Sequence, residues 1–418
     1  MKKIIIAAVV AVLVLVAYLA QVAYMGSLNE KIYTLITTHK NDIVSIEIVD
    51  FQKGFFNHKA KVNLYIKIPN DDMVRGMGLS QTPIPAEIHL KNNIFAKDNI
   101  IIDIENPLYE IMKGALASSD GQMNFDKVFL RIKIALSLSQ KIAVKTEFTD
   151  IDIKQQGLEF SLKNFGGTLS MDTNGVLYDT VVNLDELNFK MNVWGNTLSF
   201  FIGKTIFDSK FEAGVTFDDY LNNLTAGVAG KSKGSIEKIS FDDLTITGIK
   251  YDENSSVENE LINSVADINI QSITSDLKGI FLDNIRSHIE IGNFSPTFLN
   301  VLERYNPSIN DETILMEFFA SNPVVEVSDL SFNSKGKEFN SQGTLRGSLS
   351  DYRITFSAQS QAAPSEILPP FSFIGIDEFF VQKDGKYVAD FLLESDYKST
   401  KMLLNGKDIS KEETVIVD

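Results

Sequence analysis

The stretch Val128-Phe-Leu-Arg-Ile-Lys-Ile-Ala-Leu-Ser-Leu138 decides the fold class, because every even-numbered position in it is apolar. Side chains of a β-strand point alternately to opposite faces, so the second face carries Arg131 and Lys133. One dry face and one wet face are typical of antiparallel sheet. We expect Lys133 to be exposed. We expect four neighbours to be buried together, namely Leu130, Ile132, Ile134 and Leu136.

The same two-residue period recurs on both sides of this strand. Further strands are predicted at Ile43–Val49, Val62–Ile68, Ile142–Phe148, Ile151–Ile153, Leu158–Leu162, Leu187–Val193, Thr197–Ile202, Ile236–Phe241, Leu244–Ile249, Ile268–Ile273, Ile285–Ile291, Val324–Phe332, Gly343–Leu349, Tyr352–Ser357, Phe379–Val381, Tyr387–Leu393 and Met402–Leu404. Hairpin turns are predicted at Asp120-Gly121, Asn174-Gly175 and Asp384-Gly385. The fold class predicted is mainly β, a long, curved antiparallel sheet with a few short amphipathic helices, preceded by one N-terminal transmembrane helix.

Helical periodicity is confined to a few short segments of the body. They are Pro107–Leu116, Phe217–Val228, a helix that opens at Ser295-Pro296, and a helix from Asp311 to Phe319. We expect these amphipathic helices to cap or plug the sheet. No strand–helix–strand rhythm is present, which argues against a parallel nucleotide-binding sheet.

The apolar run Ile4–Met25 predicts an uncleaved transmembrane anchor. Its 22 residues would extend about 33 Å as a helix, enough to cross a bilayer. Signal peptidase needs small residues at positions −3 and −1, and cuts after Ala20, Ala23 or Gly26 each place Tyr or Gln at −3. The two lysines before the run are expected to hold the N-terminus in the cytoplasm. The remainder would then lie in the periplasm of a bacterium, anchored to the inner membrane.

Four regions are predicted along the chain. Residues 1–26 form the cytoplasmic tip and anchor, and residues 27–42 form a juxtamembrane helix with capping-box spacing at Ser27 and Glu30. Two β-rich regions follow, over 43–229 and 230–418. The boundary between them is placed at Gly230–Gly234, which we expect to be a flexible linker.

Composition excludes several classes of function. The formal net charge of −16 argues against nucleic-acid binding and against electrostatic docking to anionic lipid. The chain has no cysteine, which excludes disulfides, thiol nucleophiles and Cys-type zinc or iron–sulfur sites. Its six arginines are far apart in sequence, so no phosphate-binding cluster is expected.

Gly230-Lys-Ser-Lys-Gly234 matches the G-x-S-x-G pattern of a hydrolase nucleophile, which would make Ser232 the nucleophile. That chemistry needs a strand before the serine and a helix after it. Here a helix-like stretch precedes the motif and a strand follows it. We therefore expect Ser232 to have no catalytic role.

Four histidines and several acidic pairs are the candidates for metal or acid–base sites. The histidines are His39, His58, His89 and His288, and no two of them have ligand spacing. The acidic pairs Asp71-Asp72, Asp218-Asp219 and Asp242-Asp243, together with Asp172–Gly175, sit at turn sequences, where Asp is favoured for backbone reasons. No catalytic, cofactor or metal site is predicted.

Three stretches resemble the bacterial YdgA-like family, a domain family of unknown function. The first is the anchor with Phe51-Gln-Lys-Gly-Phe-Phe-Asn-His58, which resembles the family's aromatic-x-x-Gly-aromatic-Phe-Ser pattern but has Asn57 at the Ser position. The others are Gly230–Phe241 and the C-terminal Leu403-Leu-Asn-Gly-Lys407. The resemblance implies an inner-membrane anchor with a periplasmic body and carries over no catalytic residues.

Three functional hypotheses follow. The first is a non-catalytic envelope protein that binds or shuttles lipid or another apolar molecule, since the chain has 29 phenylalanines, one-sided strands and a membrane segment at residues 4–25. The second is a structural scaffold that binds other envelope proteins through sheet edges. The third and least favoured is a hydrolase that uses Ser232 or a carboxylate pair.

Overall fold

Antiparallel strands dominate the part of the chain that the structure describes. The computed structural model describes residues 18–19, 21–27, 29–30, 33–34, 44–66, 83–93, 96–106, 109, 113, 122–136, 141–155, 157–172, 177–193, 196–213, 228–295, 316–368, 375–396 and 399–410. Within these ranges there are 25 strands, and the pairs with a defined register are antiparallel. The predicted mainly β, antiparallel fold is confirmed.

Contacts divide the chain into two units. The first is Met1–Thr173 with Val182–Glu186, and the second is Asn174–Val181 with Leu187–Asp418. The strands up to the boundary are β1 Val44–Lys53, β2 Asn57–Ile66, β3 Ile84–Lys91, β4 Ile100–Glu105, β5 Gln122–Asn124, β6 Val128–Leu136, β7 Lys141–Phe148, β8 Ile151–Gln155, β9 Leu158–Lys163, β10 Gly166–Asp172 and β11 Leu177–Leu184. The later strands are β12 Glu186–Val193, β13 Asn196–Ile202, β14 Thr205–Ala213, β15 Val228–Phe241, β16 Leu244–Glu258, β17 Leu261–Ser275, β18 Ile280–Phe294, β19 Val324–Ser334, β20 Lys337–Ser348, β21 Asp351–Ser360, β22 Val381–Lys383, β23 Lys386–Ser395, β24 Thr400–Leu404 and β25 Lys407–Asp408.

The linker interpretation of Gly230–Gly234 is wrong. These residues lie inside β15, which pairs with β14 on one side and β16 on the other. A side chain at Gly234 would overlap the ring of Phe207, and one at Gly230 would overlap Phe211. The two glycines therefore serve close approach of neighbouring strands, which sequence reasoning mistook for flexibility.

The core of the first unit lies on one face of β1, β2, β3, β4 and β6. On β3, Ala86, Ile88 and Leu90 are buried, whereas Glu87 and His89, which alternate with them, point to the opposite face. A helical residue, Tyr33, closes the apolar face by stacking on Phe51 with ring centroids 4.5 Å apart. The opposite face carries charged side chains, among them Lys59, Glu87 and Lys133.

The side chains predicted to form the core of β6 are less buried than expected. Leu130, Ile132 and Ile134 share a face, as predicted, but each stays partly exposed, and the side chain of Leu136 lies outside the described residues. Lys133 is only 24% exposed because its ammonium group pairs with Glu147 at 2.6 Å. The two-residue period thus identified the apolar face of β6 correctly. The fully buried side chains on that face of the sheet belong to β2, β3 and the start of β4.

The N-terminal helix contacts the sheet. Described residues 18–19, 21–27, 29–30 and 33–34 are helical, so Ser27 is inside a helix and the predicted capping box at Ser27 is wrong. Val22 and Met25 are buried. No helix in the described part of the chain is long and apolar enough to span a membrane, and residues 4–17 and 20 of the predicted anchor lie outside that part.

The other predicted helices are only partly covered by the described residues. Residues 109 and 113 and residues 316–319 are helical, in agreement with two predicted segments, whereas the Ser295-Pro296 helix and most of Phe217–Val228 lie outside. A short helix, Pro364–Ile367, and a 3-10 turn, Ile376–Phe379, were not predicted. The turn replaces the start of the strand expected at Phe379–Val381. The hairpin turn at Asp384-Gly385 is confirmed, with positive φ at both residues.

We expect Ile88→Ala or Leu90→Ala to lower the free energy of unfolding by about 2–5 kcal/mol, because both side chains are fully buried. Val49→Ala is the matched control, since Val49 lies at a bulge of β1 and is 58% exposed. Urea unfolding followed by circular dichroism measures both. Equal effects of the three substitutions would contradict this core assignment.

Candidate functional site

The second unit carries an apolar strip on one face of its sheet. Register places two parallel rows of side chains across β18, β19, β20, β21, β23 and β24. The first row is Ile289, Val327, Gly343, Phe356, Phe391 and Leu404, and the second is Ile291, Val325, Leu345, Ile354, Leu393 and Met402. These twelve residues are called the apolar strip below.

The strip is accessible to solvent. Eleven of its residues are partly exposed, and Phe356 is 41% exposed. Six strands at a spacing of about 4.8 Å give the strip a length of about 24 Å across the sheet. Folding normally hides contiguous apolar surface, so a strip of this length that is partly open to solvent is a candidate interaction site.

Two covers bound the strip along the strand direction. At one end, the helix Pro364–Ile367 covers the stacked rings of Phe332 and Phe339, whose centroids are 4.8 Å apart. At the other end, Tyr352 on β21 meets Phe319, with ring centroids 5.8 Å apart. Both covers lie on the same face as the strip, since Tyr352, Ile354, Phe356 and Ala358 alternate along one strand. The strip therefore runs between two walls.

Hydrogen bonds fix the first of these walls. Ser365 donates its backbone N–H to Asp377 at 2.9 Å and its hydroxyl group to the same carboxylate. The hydroxyl group of Ser334 donates to the carbonyl of Ile367 at 3.3 Å. The helix is thus tied both to the 3-10 turn and to β19. A fixed wall gives the strip a defined width.

The strip ends in a polar cluster on the same face. Register continues from Ile289 to Ala266 on β17 and then to Glu253 on β16. Glu253 accepts hydrogen bonds from Ser264, at 2.6 Å, and from the hydroxyl group of Tyr251. Burial, reinforced by the hydrogen bond to Glu253, raises the pKa of Tyr251. One end of the strip can therefore accommodate a polar group.

The opposite face of these strands is polar. In β21, Arg353 and Thr355 alternate with the strip residues Ile354 and Phe356. Arg353 pairs with Glu394 at 3.2 Å, and Thr355 shares a hydrogen bond with Thr344 at 2.7 Å. That face is therefore mostly polar, with the apolar register pair Leu392 and Leu403 as an exception.

Ser232 lies on β15 beyond the polar cluster. Its hydroxyl group donates to the hydroxyl of Ser209 at 3.0 Å, and Glu253 is its register partner on β16. Among the described residues no histidine hydrogen-bonds to Ser232. Lys231 and Lys233 alternate with it and point to the opposite face, where Lys233 pairs with Asp252 at 2.7 Å. Glu253 accepts its hydrogen bonds from Tyr251 and Ser264, so within the described part of the chain no carboxylate or imidazole is hydrogen-bonded to the Ser232 hydroxyl group.

The histidines occupy separate places. His58 is buried and links two backbone groups, with Nδ1 3.3 Å from the Gly54 N–H and Nε2 3.4 Å from the Gly26 carbonyl. His89 pairs with Glu87 at 3.4 Å. His288 lies 2.7 Å from Asp267, which raises its pKa. His39 is outside the described residues, and the described residues contain no group of side chains that could hold a metal.

The described acidic pair acts at a turn, as expected. Asp242 has a φ of 51° between β15 and β16, and Asp243 accepts hydrogen bonds from Ser275 and from the Leu277 N–H, at 3.2 Å for the latter. Asp71-Asp72, Asp218-Asp219 and most of Asp172–Gly175 lie outside the described residues.

Sequence reasoning missed the strip although it identified most of its strands. The available signal was the alternation in Val324–Phe332, Tyr352–Ser357 and Tyr387–Leu393. Alternation shows that each strand has an apolar face, but register decides whether those faces align.

The chain matches the sequence profile of a bacterial protein family of unknown function (DUF945) over residues 1–369. The match covers most of the chain, which therefore belongs to this family. No curated protein and no solved structure matches the chain. The family description assigns no activity to its members.

We expect Ser232→Ala to leave stability unchanged and fluorophosphonate probes to leave the wild-type protein unlabelled. A serine nucleophile needs a base within hydrogen-bond reach, and Ser209 cannot act as one. Gel fluorescence after probe treatment measures labelling, with heat-denatured protein as the control. Labelling of the native wild type that disappears in Ser232→Ala would contradict this expectation.

Proposed function

We propose that this member of the bacterial family is a non-catalytic envelope protein that binds lipid on the apolar strip. The observation that carries the proposal is the continuity of the two rows across six strands, exposed to solvent and bounded on both sides. An acyl chain would lie along the strip, and the polar part of the lipid would lie toward Glu253.

The dimensions of the strip suit an acyl chain. The hydrocarbon core of a bilayer is about 30 Å thick, so one leaflet's chains extend about 15 Å, less than the strip's length of about 24 Å. Each buried methylene contributes about 0.8 kcal/mol, so ten methylenes contribute about 8 kcal/mol before the costs of association. Those costs are about 4–15 kcal/mol. Binding of a single chain would be reversible, as a protein that passes lipid on requires.

The other two hypotheses receive less support. A scaffold that pairs through sheet edges would leave the sheet's faces filled or covered, whereas the strip is an exposed face. A hydrolase would require a base at Ser232, and its hydroxyl partner in the described residues is Ser209.

The proposal includes an anchor in the inner membrane and a body in the periplasm. Since Val22 and Met25 are buried and the Gly26 carbonyl contacts His58, the membrane-crossing part would be residues 4–20. Seventeen residues of helix extend about 26 Å, which is at the short end of known spans. Lys2 and Lys3 before this segment would keep the N-terminus in the cytoplasm.

We expect Ile354→Asp to reduce bound lipid about tenfold or more, because a carboxylate in the strip would be desolvated by an acyl chain and about 1.4 kcal/mol is a factor of ten. Thr355→Asp is the matched control, since Thr355 is the next residue and points to the opposite face beside Arg353. Mass spectrometry of lipids co-purifying with the detergent-solubilised protein measures the loss. Equal lipid content in both variants would refute the strip as the binding site.

For the topology, we expect alkaline phosphatase fused after Asp418 to be active, because that enzyme folds only outside the cytoplasm. A cytoplasmic reporter at the same position is the control and should be inactive. The reverse pattern would rule out a periplasmic body while leaving the strip untouched.

A further inference from the structure

The charged face of the first unit's sheet carries a basic groove of about 670 Å³. Its charged lining is five cations and one carboxylate: Lys53, Lys59, Lys91, Arg131, Lys133 and Asp103. Two of the cations have acidic partners of their own, since Lys53 pairs with Glu30 of the N-terminal helix and Arg131 pairs with Asp103 at 2.6 Å. This excess of positive charge stands in a chain whose net charge is −16. The average charge of the protein, from which binding to anionic lipid was argued to be unfavourable, thus hides a local patch of the opposite sign.

Register explains why the cations gather. Lys59 on β2 pairs with His89 on β3, which pairs with Ile101 on β4, which pairs with Lys133 on β6 and then Lys145 on β7. The row across the sheet therefore contains three lysines and a histidine with no acid among them. The neighbouring row supplies the counter-charges.

Each of two carboxylates in that neighbouring row is shared between two basic groups. A carboxylate oxygen of Glu87 lies 3.0 Å from the ammonium group of Lys59 and 3.4 Å from the imidazole of His89. The carboxylate of Glu147 lies 2.6 Å from the ammonium group of Lys133 and 2.7 Å from that of Lys145. The hydrogen bond from Lys59 lowers the pKa of Glu87, so this carboxylate stays charged but neutralises one cation only. The third carboxylate of the neighbouring row, Asp103, pairs with Arg131. The two rows together hold five cationic side chains, Lys59, Lys61, Arg131, Lys133 and Lys145, against three carboxylates, Glu87, Asp103 and Glu147, so a positive excess remains.

Two exposed aromatic rings stand beside the groove. Phe55 and Phe56 form the tip of the β1–β2 hairpin, are 54% and 58% exposed, and lie edge to face with centroids 5.0 Å apart. Lys53, Gly54 and Asn57, which flank them in sequence, line the groove. Aromatic rings next to lysines are the composition of surfaces that sit at a membrane interface.

The hairpin tip is held rigidly. The buried side chain of Asn92 donates to the carbonyl of Phe55 at 2.8 Å, and its backbone N–H donates to the carbonyl of Phe56 at 2.8 Å. Asn92 also accepts a hydrogen bond from Asn29 of the N-terminal helix at 2.9 Å. The carbonyls of the tip are therefore satisfied from inside, and the two rings are left to point outward without loss of backbone hydrogen bonds.

The tip lies beside the helix that follows the apolar N-terminal run. Gly26 contacts His58 through its carbonyl, and a side chain at Gly26 would meet Asn92. On the same helix Tyr24 is 66% exposed. The aromatic tip and the basic groove are thus placed near the segment through which the chain would enter a membrane.

We propose that the aromatic tip, Phe55 and Phe56, together with the basic groove, docks the first unit on the surface of an anionic phospholipid bilayer. The rings enter the interface and the lysines face the phosphate groups. This surface belongs to the first unit and the apolar strip to the second, so a test can refute one proposal and leave the other standing.

The test uses the full-length chain with Trp194→Phe, which removes its single tryptophan, and Phe56→Trp as the reporter. The protein is incorporated into vesicles of phosphatidylcholine alone, or of phosphatidylcholine mixed with phosphatidylglycerol, each with brominated acyl chains. Quenching of the tryptophan by bromine reports insertion of the tip. We expect strong quenching in the anionic vesicles and weak quenching in the neutral ones.

Lys59→Gln with Lys91→Gln is expected to lower the ratio of docked to undocked protein about tenfold or more, since each lysine near an anionic surface contributes about 1 kcal/mol. Lys231→Gln with Lys250→Gln is the matched control, because both lysines are exposed on the second unit. Unchanged thermal unfolding shows that each variant is folded. Equal quenching in both kinds of vesicle, absence of quenching, or no effect of the groove lysines would overturn the proposal. Release by millimolar inorganic phosphate would also overturn it, since the groove would then take a free anion.

Discussion

The structure depends on the register of its antiparallel strands. Register partners on neighbouring strands have side chains that point to the same face of the sheet. Every second side chain of a strand points the same way, and hydrogen bonding keeps partners opposite each other across the sheet. An apolar position therefore gains apolar neighbours on the next strand, and a charged position gains charged neighbours. Each of the two units has one apolar and one polar face for this reason. Function depends on what covers or binds each of these faces.

The two units resolve this constraint differently. In the first unit, the N-terminal helix closes the apolar face: Tyr33 stacks on Phe51, and Asn29 bonds to Asn92. Burial is complete there, as at Leu90 and Ile100. In the second unit, the covers reach Phe339 at one end of the strands and Tyr352 at the other. The apolar strip between them remains partly exposed, which is the physical basis for our proposal that it binds lipid.

Polar faces differ in the same manner. In the second unit, charges of both signs alternate, as in Lys233 with Asp252 and Arg353 with Glu394. In the first unit, register collects lysines in one row and shares the acids of the next row between them. The result is a groove whose sign is opposite to that of the whole chain. The net charge of a chain therefore does not predict the local charge of a sheet face on which register places several lysines in one row.

The sequence by itself determined the fold class, most strands and which side chains of a strand share a face, because the two-residue period is a local property of the chain. It also excluded cysteine chemistry, because the chain has no cysteine, and it identified the hairpin turn at Asp384-Gly385. The tertiary structure alone decided which rows align, because strand pairing joins residues far apart in sequence, as Ile291 joins Val325. It also decided that Gly230–Gly234 is a strand interior, since the reason for those glycines is the ring of Phe207 on β14 and that of Phe211 beside it. The apolar strip and the basic groove are both consequences of register, which no single stretch of sequence contains.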